Sequence, residues 1–516
     1  MQMPLSFEFP SHLTAEAFIA QLDNKTNLQL LSKHDCHRTY YDSFDWRLYS
    51  AGISCELTQS KTSSLLALIN LNDGRNLVTT ELADVPVFAK DFPDDTLQQH
   101  LAPILEMRAL LPICTLNFKD IQLNILNDDQ KIVVRLAIEE FEQLTDRLLV
   151  YPVKGYDKAS EHLIETLISP PFELTAIKHS LLPAALQLNG RKAYDYSSKL
   201  NIDLAPELRA DIACKYLYSH LLNTIKANEK GVITDLDSEF LHDFRVAVRR
   251  TRSGLSQLKG VLPNNISARF RDFFSWLGQI TGPTRDLDVH LLNFEHYKNS
   301  LPESIREDLN PLHDFLLNTQ KKTHQELAKK LRSDKYINTL ADWELYLKEP
   351  SNKQPTEANA QLNIKELADH RIWKMFNRVL KEGQDITRYS PPEDLHELRK
   401  TCKKLRYLLE FFQSLYPEEQ IKYLIKNLKN LQEVLGDFQD YSVQESNLRV
   451  FSEEMITLNT PANTFLAMGV LIQELDTRKY HARRHFTARF SEFASTETQQ
   501  AFATLFANNK PHRKHL

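Results

Sequence analysis

Between positions 121 and 138 apolar and polar residues alternate. Ile121, Leu123 and Ile125 are followed by the turn-forming run Asn127-Asp128-Asp129-Gln130, and Ile132, Val134, Leu136 and Ile138 then resume the alternation. A period of two around such a turn predicts a β-hairpin over 121–142. Shorter strands are predicted at 54–58, 65–70 and 78–82, and helices at 15–22 and 158–168. Residues 1–180 therefore read as an α+β domain built on an antiparallel sheet. Pro170, Pro171, Pro183 and Gly190 punctuate the chain at the end of this domain, and 181–202 reads as a linker. Beyond 203 the apolar spacing changes to the helical period of about 3.6. It predicts helices at 205–229, 238–260, 264–280, 284–299, 302–332, 334–347, 363–384, 392–415, 418–436, 438–457 and 461–493. The polar, proline-bearing stretch 352–363 divides them.

On a helix over 241–258, Leu241, Phe244, Val248, Leu255 and Leu258 share one arc. His242, Arg245, Arg249 and Arg252 share a second arc beside it, and Arg250 stands next to Arg249. At spacings of three and four the cations meet apolar residues or one another, and like charges there destabilise a helix by a few tenths of a kcal/mol per pair. The stripe needs a counter-charge from outside its own helix.

Shifted by 154 residues (241 to 395), the helical region matches itself. Leu241-His242-Asp243-Phe244-Arg245 meets Leu395-His396-Glu397-Leu398-Arg399. Arg249-Arg250 meets Lys403-Lys404, Arg252 meets Arg406, Gly282 meets Gly436, and Asp286 meets Asp440. A register kept without a gap indicates a duplication, with halves at about 203–348 and 363–510. The second copy keeps the apolar arc Leu395, Leu398, Cys402, Leu405, Leu409 and Phe412 beside the cations His396, Arg399, Lys403 and Arg406. If the two stripes face a common axis they need an anion between them, since two unit charges about 4 Å apart repel by about 1 kcal/mol even in water. The alternative is pairing with Asp243, Glu397, Asp286 or Asp440 from neighbouring helices. Further cations lie along 371–381 (Arg371, Lys374, Arg378, Lys381) and 478–489, including Arg483 and Arg484. The tail His512-Arg513-Lys514-His515 is expected to be disordered.

Composition limits the possibilities. Twelve glycines, with neither GxxxxGK[ST] nor GxGxxG, argue against a glycine-rich phosphate loop. Five scattered cysteines without a CxxC pair suggest neither a disulfide framework nor a zinc site. No apolar run is long enough for a membrane span, and the opening MQMPLSFEFPSHL lacks a secretory pattern, so the expected location is the reduced cytoplasm. The net charge of −5 conceals an asymmetry. Residues 1–199 hold 18 Lys and Arg against 26 Asp and Glu, a net of −8, and the remainder holds 45 against 42, a net of +3. Any anion site must arise from sorting charges, not from an excess of them.

The doubled pattern H-x-x-R-x-x-x-[RK]-[RK]-x-R, followed by G-x-x-[RQ]-D, resembles the CHAD family, the conserved-histidine α-helical domain. The resemblance covers about 200–510 and implies two four-helix bundles related by a pseudo-two-fold axis, with a basic groove that binds inorganic polyphosphate. Granules of that polymer then become an expected location. Carried onto this chain, the motif implies His242, Arg245, Arg249, Arg250, Arg252 and Arg285 in one half, and His396, Arg399, Lys403, Lys404 and Arg406 in the other. Lys374, Arg378, Arg483 and Arg484 are added as neighbouring cations.

Tyr40-Tyr41-Asp42-Ser43-Phe44-Asp45 with Ala51-Gly52-Ile53 resembles the CYTH family, the triphosphate tunnel fold, which often precedes CHAD. That family opens on an ExExK strand, whereas this chain has Ser6-Phe7-Glu8-Phe9-Pro10. The acids that would hold a metal are reduced to one there, and Glu8, Glu139 and Glu140 are expected to be solvated. The expected function is polyphosphate or similar polyanion binding without catalytic residues, metal or cofactor. The competing readings are a metal-dependent tripolyphosphatase or polyphosphatase, and a nucleic-acid or protein-interaction scaffold.

Overall fold

The computed structural model describes residues 5–177 and 179–507, so the tail expected to be disordered lies outside the described residues. The chain divides into two compact units, Met1–Ser197 and Ser198–Leu516.

The first unit is built on nine strands: β1 (Leu5–Glu8), β2 (Asn27–Asp42), β3 (Ile53–Gln59), β4 (Ser64–Asn70), β5 (Asn76–Glu81), β6 (Leu111–Leu126), β7 (Ile132–Phe141), β8 (Arg147–Pro152) and β9 (Thr175–Ile177). They form one curled antiparallel sheet in the order β5-β4-β3-β2-β6-β7-β8-β1-β9. The predicted hairpin is β6–β7, with Ile121, Leu123 and Ile125 opposite Ile138, Leu136 and Val134. This apolar face packs with Phe18 and Leu22 of α1 (Ala15–Asp23) and Leu163 and Leu167 of α4 (Asp157–Ile168). Side chains alternate across a strand, so Asp120, Gln122, Arg135 and Glu139 fall on the opposite face. Tyr40–Asp45 makes a structural staple. The buried Asp42 accepts backbone N–H groups of Ser43, Leu48 and Tyr49 at 2.7, 2.8 and 2.9 Å, which fixes the short helix α2 (Arg47–Ser50). Helix α3 (Asp95–Leu105) is capped by Asp94, and its Leu97 and Leu101 cover Leu66 and Leu68. The 181–202 stretch differs from the expected linker. It contains α5 (Leu182–Leu188), whose Leu182, Ala185 and Leu186 pack with Tyr40, Trp46 and Leu116, so its apolar spacing outweighs the proline and glycine punctuation around it.

The second unit is all-helical: α6 (Ala210–Thr234), α7 (Ser238–Gln257), α8 (Asn264–Ile280), α9 (Gly282–Leu292), α10 (Phe294–Ser300), α11 (Asn310–Leu331), α12 (Asp334–Lys348), α13 (Ile364–Gln384), α14 (Pro392–Phe412), α15 (Glu418–Ile456), α16 (Ala462–Phe493) and α17 (Thr496–Phe506). The packing of α6, α7 and α8 is repeated by α13, α14 and the first part of α15. The halves differ where α8 gives way to α9. Pro283 stands in the first turn of α9, whereas the matched Asp437 lies inside the continuous α15, so the two helices predicted at 418–436 and 438–457 are one of 39 residues. Beyond that point α15 and α16 pack Leu448, Met455, Met468 and Leu471 against Leu287, Phe294, Leu312 and Leu316 of the first half. The halves therefore interlock. Close approach also requires small residues: a Cβ at Gly383 would stand 1.9 Å from the ring of Phe490.

Candidate functional site

Helices α7 and α14 pack against each other and carry the two cationic stripes. Asp237 caps α7 by accepting the N–H groups of Glu239 and Phe240. Burial of Leu241, Phe244, Val248, Leu255 and Leu258 sets the rotation of α7, and Leu395, Leu398, Cys402, Leu405 and Leu409 do the same for α14. Both predicted apolar arcs are thus in the core, and the adjoining polar arcs stay half-buried at its edge except for Arg252, which is exposed.

Arg245 donates through Nη1 to Thr281 Oγ1 at 2.7 Å and to the Gly278 carbonyl at 3.2 Å. A Cβ on Gly282 would stand 3.7 Å from this Nη1, and one on Gly278 would stand 3.5 Å from Arg252 Nη1, so the guanidinium groups lie along nearly bare backbone. Burial, then Arg249, Arg285 and Arg252, push Arg245 down to about 10 against the opposing pull of Asp286. Burial, then Arg399, Arg249 and Arg406, push Lys403 down to about 7 against Asp440. Arg249 therefore acts on Arg245 of its own helix and on Lys403 of the matched one. This joins Arg245, Arg249, Arg252, Arg285, Arg399, Lys403 and Arg406 into one electrostatic cluster.

Some of these cations have protein partners. Arg399 pairs with Asp440 at 2.9 Å, and Arg285 lies 3.6 Å from Glu239. Glu410 spans the repeats, 2.8 Å from Arg250 and 3.1 Å from Arg406, and Arg406 also donates to Gln432 at 3.0 Å. Pairing between helices, the alternative raised by the sequence, thus accounts for Arg399, Arg250 and Arg285, while Arg406 pairs with Glu410 of its own helix. Among the described residues no carboxylate stands within 4.0 Å of Arg249, Arg252, Lys403 or Lys404, and Arg249 Nε is buried without a partner. The matched histidines are held differently. Arg285 Nη2 donates to His242 Nδ1 at 3.0 Å, whereas His396 Nδ1 lies 2.6 Å from Gln439 Oε1.

The remaining predicted cations are distributed around this cluster. Burial, then Arg378 and Lys400, lower Lys404, and Arg378 itself pairs with Glu382 at 2.6 Å. Lys374 is exposed on α13 and acts on His370 together with Arg371. Arg483 is turned to backbone, donating to the carbonyls of Arg388 and Ser390, and Arg484 is exposed over the Tyr480 ring. Thr281, Gln432 and Gln439 were not singled out from the sequence. Gln439 could have been, because the repeat aligns it with Arg285.

The polar face of the N-terminal sheet borders a cavity of about 580 Å³. Its charges cancel locally: Arg38 lies 2.6 Å from Glu139 and 3.6 Å from Glu56. Glu139 is therefore a buried partner of an arginine, not the solvated residue expected, because its strand position faces this cavity. Glu8 is likewise engaged, with Arg147 at 3.2 Å and His179 at 3.3 Å. Glu8 and Glu140 both stay half-exposed, and Glu140 lies 3.7 Å from Lys33 and 3.9 Å from Lys119. The tunnel resemblance implies a metal held by acids. These residues do not fit one, since the acids nearest the expected positions already bind arginine. Among the described residues no group of three or more His, Cys, Asp or Glu could hold a metal ion.

The CHAD domain family model matches residues 217–449, from α6 into α15, and this stretch is a CHAD domain. Two uncharacterized proteins from strains of Mycobacterium tuberculosis are 24% identical over 239 residues, 45% of this chain and 44% of each relative, so the match spans less than half of either protein. Among solved structures, the CHAD domain from the plant Ricinus communis is 21% identical, covers 60% of this chain and 96% of its own, and has a TM-score of 0.44. PptA from Streptomyces chartreusis is 16% identical, with coverage of 56% and 100% and a TM-score of 0.44. The N-terminal sheet resembles HpAC1 from Hippeastrum, an adenylyl cyclase-type protein described with a dominant triphosphatase activity, at 13% identity, coverage of 38% and 100%, and a TM-score of 0.28. No helix among the described residues is long and apolar enough to cross a membrane.

Proposed function

We propose that the CHAD domain of this chain binds inorganic polyphosphate, or a linear polyanion of the same charge spacing, along a basic groove between α7 and α14. The observation that carries this reading is the cluster centred on Arg249 and Lys403, which act on each other across the repeat with no carboxylate among the described residues within 4.0 Å of either. Such crowding costs free energy in the empty protein, and a chain of phosphates offsets it. Arginine suits a bidentate grip on phosphate oxygens, while lysine acts as a point charge. His242, Arg245, Arg252, Arg285, His396, Arg399, Lys404 and Arg406 complete the site. Arg250 supports it through Glu410, the carboxylate it shares with Arg406. Binding, not turnover, is the proposed activity, with the N-terminal unit as a scaffold: its acids are committed to Arg38 and Arg147.

If about eight cations engage a single-stranded polyanion, affinity falls by roughly five to six decades per decade of salt. Charge reversal in Arg249→Glu with Lys403→Glu is expected to weaken binding of long-chain polyphosphate by at least about a hundredfold, at about 1.4 kcal/mol per factor of ten. Isothermal titration calorimetry across a salt series checks both. Salt-independent binding, or full affinity in the double variant, would sink the proposal. Displacement of polyphosphate by RNA or DNA at equal phosphate concentration would favour a nucleic-acid surface.

A further inference from the structure

The repeat leaves two arginines in matched places with unlike surroundings. Arg252 on α7 corresponds to Arg406 on α14, and the same register sets Ser256 against Glu410 and Gly278 against Gln432. Glu410 stands one helical turn beyond Arg406. Helical side chains lean back towards the N-terminus, and its carboxylate lies 3.1 Å from Arg406 Nε. Gln432 Oε1 accepts from Arg406 Nη1 at 3.0 Å. The other oxygen of Glu410 accepts from Arg250 Nη2 at 2.8 Å, while Arg250 Nη1 donates to the Ser198 carbonyl at 3.2 Å. Both arginines are thus held on two sides. The first repeat lacks these partners. Ser256 Oγ donates to the Ser253 carbonyl, and Gly278 has no side chain to offer: a Cβ there would stand 3.5 Å from Arg252 Nη1. Arg252 is exposed, and no carboxylate among the described residues lies within 4.0 Å of it.

We infer that Glu410 ends the anion track on the side of the second repeat, so that the groove between α7 and α14 is open past Arg252 and closed past Arg406, and that this carboxylate limits how many phosphates the groove holds. This rests on the polyanion reading above. The repeat relates α7 to α14, so Arg252 with Ser256 and Arg406 with Glu410 lie on opposite sides of the place where the two helices pack. A phosphate chain laid there meets Arg252 without an adjacent carboxylate and can continue past it. At the other end it meets an arginine already shared with Glu410, and then Glu410 itself. A like charge about 4 Å from a phosphate weakens binding by about fivefold even at water's dielectric, and by more where water is excluded. Glu410 does not simply turn aside. Its side chain is 14% exposed and ties α14 to Arg250 of α7, so moving it into solvent breaks that link.

Salt-series titrations of the full chain with size-fractionated sodium polyphosphate test this. Glu410→Gln keeps the shape of the side chain and an acceptor for Arg250 but removes the charge. It is expected to tighten binding of long chains about tenfold at low salt and to steepen the salt slope by about one, at about 0.7 per added phosphate contact. The chain length at which affinity stops rising should move upwards. Ser256→Glu places a carboxylate one turn beyond Arg252. It is expected to weaken binding about tenfold, to make the slope shallower by about 0.7 and to move the plateau to shorter chains. A purely structural Glu410 would lower the thermal midpoint of Glu410→Gln and leave slope and plateau where they are. An unchanged slope and plateau in either folded variant, or weaker binding by folded Glu410→Gln, would overturn the inference and leave polyanion binding standing. If Glu410→Gln does not fold, Ser256→Glu decides by the same measures. Absence of wild-type binding at every chain length would instead overturn the polyanion reading and this inference with it.

Discussion

The two units handle buried positive charge in opposite ways. In the N-terminal sheet Arg38 lies 2.6 Å from Glu139, Arg147 lies 3.2 Å from Glu8, and Arg108 lies 3.3 Å from Asp45. In the helical unit Arg249 and Lys403 crowd other cations, and no carboxylate among the described residues stands within 4.0 Å of either. Charges paired inside a fold hold that fold together. Charges concentrated without partners make it less stable alone and more stable with an anion. The difference teaches that counting arginines locates neither function, because the sheet's arginines are structural although they line a cavity in a tunnel-like fold.

The largest effect that would break this comparison lies in the sheet. Glu139→Ala leaves Arg38 buried with Glu56 as its one carboxylate within 4.0 Å among the described residues, and removing one partner of a buried pair typically destabilises by about 3 kcal/mol. Urea unfolding, read by amide exchange in β7, is expected to report that loss. A change below about 0.5 kcal/mol would mean that Arg38 is solvated through the cavity and that the sheet's charges are not structural. The helical unit is expected to respond with the opposite sign. Arg249→Gln removes one member of a like-charge cluster, so without ligand at low salt it should stabilise the protein by about 0.5–1 kcal/mol, and added polyphosphate should raise its thermal midpoint less than that of the wild type. Destabilisation by this substitution would show that Arg249 has a stabilising partner.

The smallest and sharpest test is pH. The folded state holds Lys403 at about 7, below the 10.5 of an ordinary lysine, so between those values the unfolded chain binds more protons. The contribution of Lys403 to stability is therefore present at high pH and lost as pH falls through about 7. The empty helical unit should gain stability from pH 7 to 9, and Lys403→Gln should remove that slope. A wild-type slope of the opposite sign would indicate an ion pair at Lys403. Polyphosphate is expected to reverse the trend, because it favours the charged form.

Much of the candidate site was legible in the sequence. The two arcs on α7 and α14 follow from a period of 3.6, and the duplication follows from an ungapped register between His242 and His396. The removal of Arg250 and Arg483 from the exposed cation set was not legible. Arg250 stands next to Arg249 in sequence, but only the packing of α7 on α14 brings Glu410, 160 residues away, to 2.8 Å from it. Glu139 was misread for a related reason. Its alternation in β7 gave it a face, but the curl of the sheet decided that this face borders a cavity and not open solvent.

Local periodicity and the repeat by themselves determined the helices that carry the site, which of their faces are buried, and that two cationic stripes are matched. Those properties depend on neighbours three or four residues away and on a fixed sequence offset. Tertiary structure alone decided which cations keep a counter-charge, which partner each matched histidine meets, and that Arg249 and Lys403 act on each other. Each of these depends on distances of a few ångströms between residues far apart in the chain, and electrostatic energy at such distances is set by burial and by the nearest opposite charge.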